Sequence, residues 1–163
     1  MLNEEYNLLV EDILENEEFN KLETIEHHGT NRLKHSQRVS YYSYEVCKML
    51  HLDYISAARA GLLHDFFLSK KERTKKERML SVFTHPKKAL KKAQEHFELN
   101  MIEQNIIECH MFPLNITLPK YLESWIVSTV DKIVGTYEFL EKLSLKQTYG
   151  PNPYIAVLIQ LFN

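Results

Sequence analysis

The scarcity of turn-forming residues is the feature that most constrains this chain. Its 163 residues include only four glycines and five prolines, and they contain no Asn-Gly or Asp-Gly pair that could start a β-hairpin. Apolar residues instead recur at spacings of three and four, as in the stretch 32–51, which is the pattern of an amphipathic helix. The sequence therefore predicts an all-α fold.

Capping residues and prolines divide the chain into further predicted helices. Asp53 and Asn100 are suitable N-caps, and 121–140 is the longest periodic apolar stretch, which predicts a further helix. Pro86 suits the first turn of another helix, so we expect His85 to lie at the entrance of that helix.

The remaining stretches predict the outer parts of the same bundle. The lysine- and arginine-rich stretch 70–78 interrupts the apolar periodicity and predicts an exposed connector or a short solvated helix. Residues 1–20 and 152–163 are expected to form flanking helices that close the bundle. No repeat or shift in composition marks a second domain, so 1–163 is interpreted as one single-domain helical bundle.

Charge and hydropathy exclude several classes of protein. A formal net charge of -2 argues against a general nucleic-acid coat, and no apolar run approaches the roughly 20 residues that cross a bilayer. The N-terminal stretch is acidic and amphipathic, unlike a signal peptide, and this indicates a cytoplasmic protein. Cys47 and Cys109 lie within apolar helical patterns and are expected to be buried free thiols.

The stretch GLLHDFF at 61–67 sets a histidine and an aspartate in the middle of an apolar run. A buried carboxylate without a partner costs several kcal/mol, so Asp65 needs a strong partner. Any single histidine in a helix is more often a structural residue than a ligand. However, further histidines and an aspartate are predicted on inward-facing helical surfaces, and imidazole with carboxylate is a ligand set for divalent first-row metals. A bound cation would compensate the charge of Asp65.

The order of these residues, H…HD…H…H…D, resembles the HD-domain superfamily of metal-dependent phosphohydrolases over roughly residues 25–140. The motifs that carry the resemblance are LKHSQRV with His35, AGLLHDFF with His64 and Asp65, and VSTVDKIVG with Asp131. The two extra histidines of relatives that hold two metals are matched by His85 in FTHPKKAL and His110 in IIECHMFPL. The resemblance implies an all-helical fold with its site in the middle of the bundle.

The resemblance also implies the cofactor and the reaction. Two divalent metal ions are expected, of iron, manganese, cobalt, nickel or zinc. The first would be held by His35, His64, Asp65 and Asp131, and the second by Asp65, His85 and His110. In this interpretation His64 and Asp65 form the catalytic pair, and a metal-activated water attacks phosphorus in line. The expected reaction is hydrolysis of a phosphoester or phosphoanhydride bond.

The expected substrate is a small phosphorylated metabolite, and a nucleotide is the favoured choice. No nucleic-acid or membrane partner is expected. Candidate substrate contacts are His28, Arg32, Arg38 and Lys132, although an exposed salt-bridging role competes with this interpretation for each of the cations. The HD pair is followed by FFL, and no Gly-Tyr-Pro signature follows His110, which argues against a cyclic dinucleotide hydrolase.

Two other classes of function stay open at this point. The chain could be a non-catalytic HD module that binds metal or a nucleotide, although a complete ligand set argues against a decayed site. It could also be an HD-fold di-iron oxygenase, because that chemistry uses a similar set of histidines and aspartates. The sequence does not indicate the oligomeric state.

Overall fold

The computed structural model describes residues 4–27, 30–68 and 75–142. The elements in chain order are α1 (Glu4–Leu14), α2 (Glu17–Asn20), a 3-10 turn (Lys21–Thr24), β1 (Glu26–His27), β2 (Thr30–Asn31), α3 (Arg32–Met49), α4 (Tyr54–Leu63), α5 (Lys75–His96), α6 (Met101–Cys109) and α7 (Leu122–Lys142). The two strands pair antiparallel but are only two residues long each. The all-α fold predicted from the sequence is confirmed.

Helices α3 and α4 form the centre of the bundle and pack very closely against each other. Residues Ala57, Ala58 and Ala60 of α4 are fully buried, and their small side chains allow this approach. A Cβ atom built on Gly61 would lie 2.8 Å from the Cα of Ser40 on α3, so only glycine fits there. The close contact fixes the position of α3 relative to the end of α4, where His64 and Asp65 follow.

Replacing Gly61 with alanine should destabilise the protein by about 1–3 kcal/mol, because the new methyl group meets backbone atoms that cannot rotate away. Denaturant unfolding of wild type and Gly61→Ala measures this loss. Equal stability of Gly61→Ala and wild type would show that α3 and α4 can move apart at little cost.

The predicted N-caps are confirmed at both positions. The Asp53 side chain accepts a hydrogen bond from the backbone N–H of Ser56 at 2.9 Å. Asn100 forms a complete capping box with Glu103, in which each side chain accepts from the backbone N–H of the other residue. Short polar side chains that satisfy the first free N–H groups therefore mark these helix starts correctly.

The start of helix α5 was predicted wrongly. Helix α5 begins at Lys75, so Pro86 lies inside the helix and His85 lies almost three turns from its start. Lysine, glutamate and arginine, which make up residues 75–78, are strong helix formers and extend the helix on the N-terminal side of the proline. The predicted exposed connector is therefore helical from Lys75 onward, and its first part, 70–74, lies outside the described residues.

Two helices end before the last residues of the apolar stretches SAARAGLLHDFFL and MIEQNIIECHMF, over which the sequence predicts them. Helix α4 stops at Leu63 and helix α6 at Cys109, so His64 and His110 occupy the C-cap positions of these helices. At the N-terminus, α1 and α2 lie within the segment 1–20, and its role as a flank that closes the bundle stays a prediction. The other predicted flank, 152–163, lies outside the described residues.

The long helix α7 buries one apolar stripe against the bundle. Val127, Val130 and Val134 are almost fully buried, as the periodicity predicts, but Trp125 and Phe139 are about half exposed, at 46% and 48%. These two residues therefore lie at the margin of the stripe. Both cysteines are buried free thiols, as predicted. Among the described helices, none is long and apolar enough to span a membrane.

Candidate metal centre

The first cluster of polar side chains joins three helices of the bundle. His35 comes from the first half of α3, His64 from the end of α4 and Asp131 from the middle of α7. The Oδ1 atom of Asp131 lies 3.1 Å from His35 Nε2 and 3.5 Å from His64 Nε2. One ligand atom from each of the three residues falls within 4.8 Å of the others, so they could hold one metal ion.

The second cluster joins the segment after α4 to helices α5 and α6. His85 Nε2 lies 3.0 Å from His110 Nε2, and the Oδ1 atom of Asp65 lies 3.4 Å from the first nitrogen and 3.7 Å from the second. All three residues are buried. One ligand atom from each of these residues also lies within 4.8 Å of the other two, so this group could hold a metal ion as well.

The two clusters are neighbours in the bundle core. The imidazole rings of His64 and His110, one from each cluster, lie edge to face with centroids 5.0 Å apart. The structure thus brings all six predicted metal ligands into one region. Asp65 lies with the second cluster, and its predicted role as a bridge to the first stays a prediction.

Local helix geometry fixes the tautomers of two of these histidines. The Nδ1 atom of His64 donates to the carbonyl oxygen of Gly61 at 2.7 Å, and the Nδ1 atom of His110 donates to that of Ile107 at 2.8 Å. Each acceptor is one of the last carbonyls of a helix, which have no partner within the helix. A proton on Nδ1 leaves the lone pair on Nε2, so both rings present an acceptor nitrogen to the centre.

A buried glutamate on α7, which the sequence analysis did not single out, completes the surroundings of His35. Glu138 is 2% exposed; its Oε2 atom accepts from His35 Nδ1 at 2.8 Å, and its Oε1 atom accepts from Arg38 at 2.9 Å. The sequence feature that points to Glu138 is its spacing, because it follows Asp131 by seven residues and so lies on the same face of the helix. The partner histidine, however, is 103 residues away.

Arg32, one of the predicted substrate contacts, is buried beside the second cluster. Its guanidinium donates to the carbonyl oxygen of Phe67 at 2.6 Å, lies 4.1 Å from the centroid of the Phe67 ring, and approaches Asp65 to 3.7 Å. The Phe67 ring in turn stacks on His85 with centroids 5.4 Å apart. These contacts hold the segment after α4 against the site.

Lys132, another predicted substrate contact, binds backbone groups around the end of α6. Its ammonium donates to the carbonyl oxygens of His110 and Ser128, both at 2.9 Å, and to the Ser128 hydroxyl at 2.7 Å. Burial lowers the pKa of Lys132. Arg38 keeps 42% of its side chain exposed, and His28 lies outside the described residues. Substrate contacts by these four residues stay predictions.

Burial and mutual contacts shift the pKa values of the clustered groups. Burial lowers the pKa of His35, but its hydrogen bonds to Asp131 and Glu138 outweigh this effect and raise the value to about 9. Burial raises the pKa of Asp131, yet the hydrogen bond with the His35 imidazole holds it well below its ordinary range. Burial and the nearby His64 lower the pKa of His110 to about 3, so that ring is neutral and free to act as a ligand.

In the metal-free protein, the free energy of unfolding should fall as the pH rises from about 6.5 to 9. The pKa of His35 is raised from 6.5 to about 9, so its stabilising contribution is fully present below 6.5 and lost as the pH passes 9. The shift corresponds to about 3 kcal/mol. Denaturant unfolding of chelator-treated protein across this range, with His35→Gln as the reference, measures the effect. Equal pH dependence in both proteins would contradict it.

The donor set and its spacing fit divalent metal ions. Metal–nitrogen bonds of about 2.0–2.1 Å place neighbouring ligand atoms of one ion roughly 3 Å apart, close to the separations within both clusters. The Nε2 atom of His64 is buried without a hydrogen-bond partner, which is costly unless a cation binds there. Imidazole and carboxylate are the ligands that first-row metals prefer.

Comparison with known proteins identifies one family. A family model described as HD domain matches residues 32–136, a range that includes all six candidate ligands. No match was found among the curated proteins or among the solved structures. The matched range is well over half of the chain, and it ends just before Glu138.

Proposed function

Because this chain belongs to the HD domain family, we propose that it is a metal-dependent phosphohydrolase acting on a small phosphorylated metabolite. The family includes metal-dependent phosphohydrolases, and its members bind divalent metals. The observation that carries the proposal is the presence of two adjacent imidazole–carboxylate clusters, each compact enough to hold an ion. The bond cleaved is a phosphoester or phosphoanhydride bond.

Metal ions bound at the two clusters would supply an activated water and neutralise charge on a phosphoryl group. The chain itself supplies oriented ligands, with the Nε2 atoms of His64 and His110 directed to the centre. Burial of the clusters limits access of bulk water, which strengthens electrostatic interactions with a bound anion. His64 and Asp65, adjacent in sequence, contribute to neighbouring clusters and are the proposed catalytic pair.

A thiol nucleophile is a poor alternative to an activated water. Burial raises the pKa of Cys109 to about 11 and that of Cys47 to about 12, so both are protonated near neutral pH. Only the thiolate is an effective nucleophile. Direct attack by water therefore suits this site better than a covalent route through either cysteine.

Within the proposal, the preferred substrate is a nucleotide and the number of metal ions is two. Two clusters with separate ligand sets support two ions. Nitrogen and oxygen ligands suit iron, manganese, cobalt, nickel and zinc alike, so the identity of the metal is left open. The nucleotide preference rests on sequence, because the cationic stretch 70–78 begins five residues after Asp65. A cluster of cations close to a site attracts polyanions.

The test is to remove the metal with a chelator, restore each candidate metal, and screen nucleotides, phosphomonoesters and phosphodiesters under anaerobic conditions. We expect phosphate or nucleotide release that is lost with the chelator and returns with the metal. Turnover without oxygen separates hydrolysis from an oxygenase reaction. Stable metal binding with no turnover on the whole panel would overturn the proposal in favour of a binding module, and turnover of sugar phosphates alone would overturn the nucleotide preference.

A further inference from the structure

We propose that Glu138 is the positioning residue of the first cluster. It fixes the orientation and the tautomer of the His35 ring, so that the Nε2 atom of His35 is available to a metal ion. This inference rests on the proposed function, because it assumes that His35 is a ligand. Glu138 lies outside the range that the family model matches, so the family assignment says nothing about it.

The two oxygens of the Glu138 carboxylate have different partners. Oε2 accepts from Nδ1 of His35 at 2.8 Å, and Oε1 accepts from the guanidinium of Arg38 at 2.9 Å. A carboxylate that is 2% exposed is costly unless its charge is paired, and Arg38 provides the paired charge. The carboxylate is thereby held in place as a strong acceptor for the imidazole.

The contact with Glu138 differs from the contact with Asp131 because the two use opposite nitrogens of His35. Asp131 lies 3.1 Å from Nε2, the nitrogen on the side of the cluster. A metal ion bound by Nε2 would replace that contact, so Asp131 cannot hold the ring through it in the loaded protein. The hydrogen bond from Nδ1 to Glu138 remains, keeps the proton on Nδ1 and increases the basicity of Nε2.

The position of His35 in its helix explains why a distant carboxylate is needed. His64 and His110 are C-cap residues, and the Nδ1 atom of each donates to a carbonyl oxygen three residues earlier, in the helix that it caps. His35 lies inside α3, whose carbonyls are engaged in helical hydrogen bonds. Its Nδ1 proton must therefore be accepted by a group from another element, and Glu138 on α7 is that group.

The experiment measures Zn²⁺ affinity by competition with a chromophoric chelator for wild type, Glu138→Ala and Glu138→Gln. We expect a loss of about 10- to 100-fold in affinity for Glu138→Ala, the usual effect of removing such a partner. Glu138→Gln keeps a carbonyl acceptor and should recover part of this loss. Glu123→Gln is the matched control: a buried glutamate of the same helix that accepts from the backbone N–H of Asp53 at 3.0 Å, and it should leave the affinity unchanged.

A spectroscopic readout separates positioning from a general loss of stability. In Zn²⁺-loaded, ¹⁵N-labelled wild type, the Nδ1 proton of His35 should resonate far downfield, as expected for a hydrogen bond to a carboxylate. It should move upfield in Glu138→Gln, because a neutral amide is a weaker acceptor, and exchange rapidly in Glu138→Ala. If Glu138→Ala does not fold by circular dichroism, Glu138→Gln alone decides.

The outcomes distinguish this inference from the proposed function. Unchanged affinity and an unchanged Nδ1 proton in the folded Glu138 variants would overturn the positioning role and leave the phosphohydrolase proposal intact. Failure of wild type to bind Zn²⁺ or any other candidate metal would overturn both. Weaker binding in Glu123→Gln as well would show that the loss is a general effect of altering α7, and would also overturn the positioning role.

Discussion

Replacing Asp65 with alanine should abolish turnover while the chain stays folded. The Asp65 carboxylate is 4% exposed and lies 3.4 Å from His85 Nε2 and 3.7 Å from His110 Nε2, so it supplies the negative charge of the second cluster. Removing it leaves two imidazoles to hold an ion there. We expect a decrease in kcat of at least about 10²- to 10³-fold, the effect of losing a major electrostatic contribution in an active site.

The fold should survive this change because Asp65 follows the end of α4 and lies outside that helix. Steady-state kinetics with saturating metal, together with circular dichroism, tests the prediction. Asp12→Asn is a suitable control, since Asp12 is a carboxylate that pairs with Arg59. Wild-type kcat in Asp65→Ala would show that the His-Asp pair serves the structure and not the reaction.

The second large effect concerns metal stoichiometry. Wild type should bind two metal ions per chain at saturation, whereas His85→Ala and His110→Ala should each bind one. Either change removes one of three ligands from the second cluster and leaves the first cluster, with His35, complete. Elemental analysis after equilibrium dialysis against excess metal gives the number directly.

His96→Ala is the matched control for the stoichiometry, because this exposed histidine ends α5 beside Phe66, with ring centroids 5.7 Å apart. It should bind as many ions as wild type. A single ion per chain in wild type, unchanged by either substitution in the second cluster, would mean that His85 and His110 are packing residues.

The sequence predicts which residues cluster in the core better than it predicts the helix that carries one of them, His85. His35, His64 and Asp131 could be identified because their type and order are a specific pattern within apolar helical stretches. The pattern grouped His85 with residues that lie beside it in the structure, Asp65 and His110, but placed it at a helix entrance. The proline beside it, Pro86, was given more weight than the helix-forming residues on its N-terminal side, which continue α5 through the proline.

The sequence did not predict which polar groups contact each other when they lie far apart in the chain. The cations Arg32, Arg38 and Lys132 were interpreted as substrate contacts or exposed side chains because periodicity shows which face a residue occupies and not what it meets there. In the structure Arg32 contacts the carbonyl of Phe67, and Arg38 pairs with Glu138. Such contacts depend on how two helices dock, and the docking is decided by the packing of the whole core.

His35, His64 and His110 differ in when their rings could be oriented during folding. The acceptors that orient His64 and His110 lie three residues away in the chain, so these rings can be set as soon as α4 and α6 form. The acceptor for His35 lies 103 residues away, and contacts over such distances form late because a long loop must close. A molecule in which α7 has not docked on α3 therefore lacks a complete first cluster, and a metal ion bound at that cluster would mark the chains in which this docking is finished.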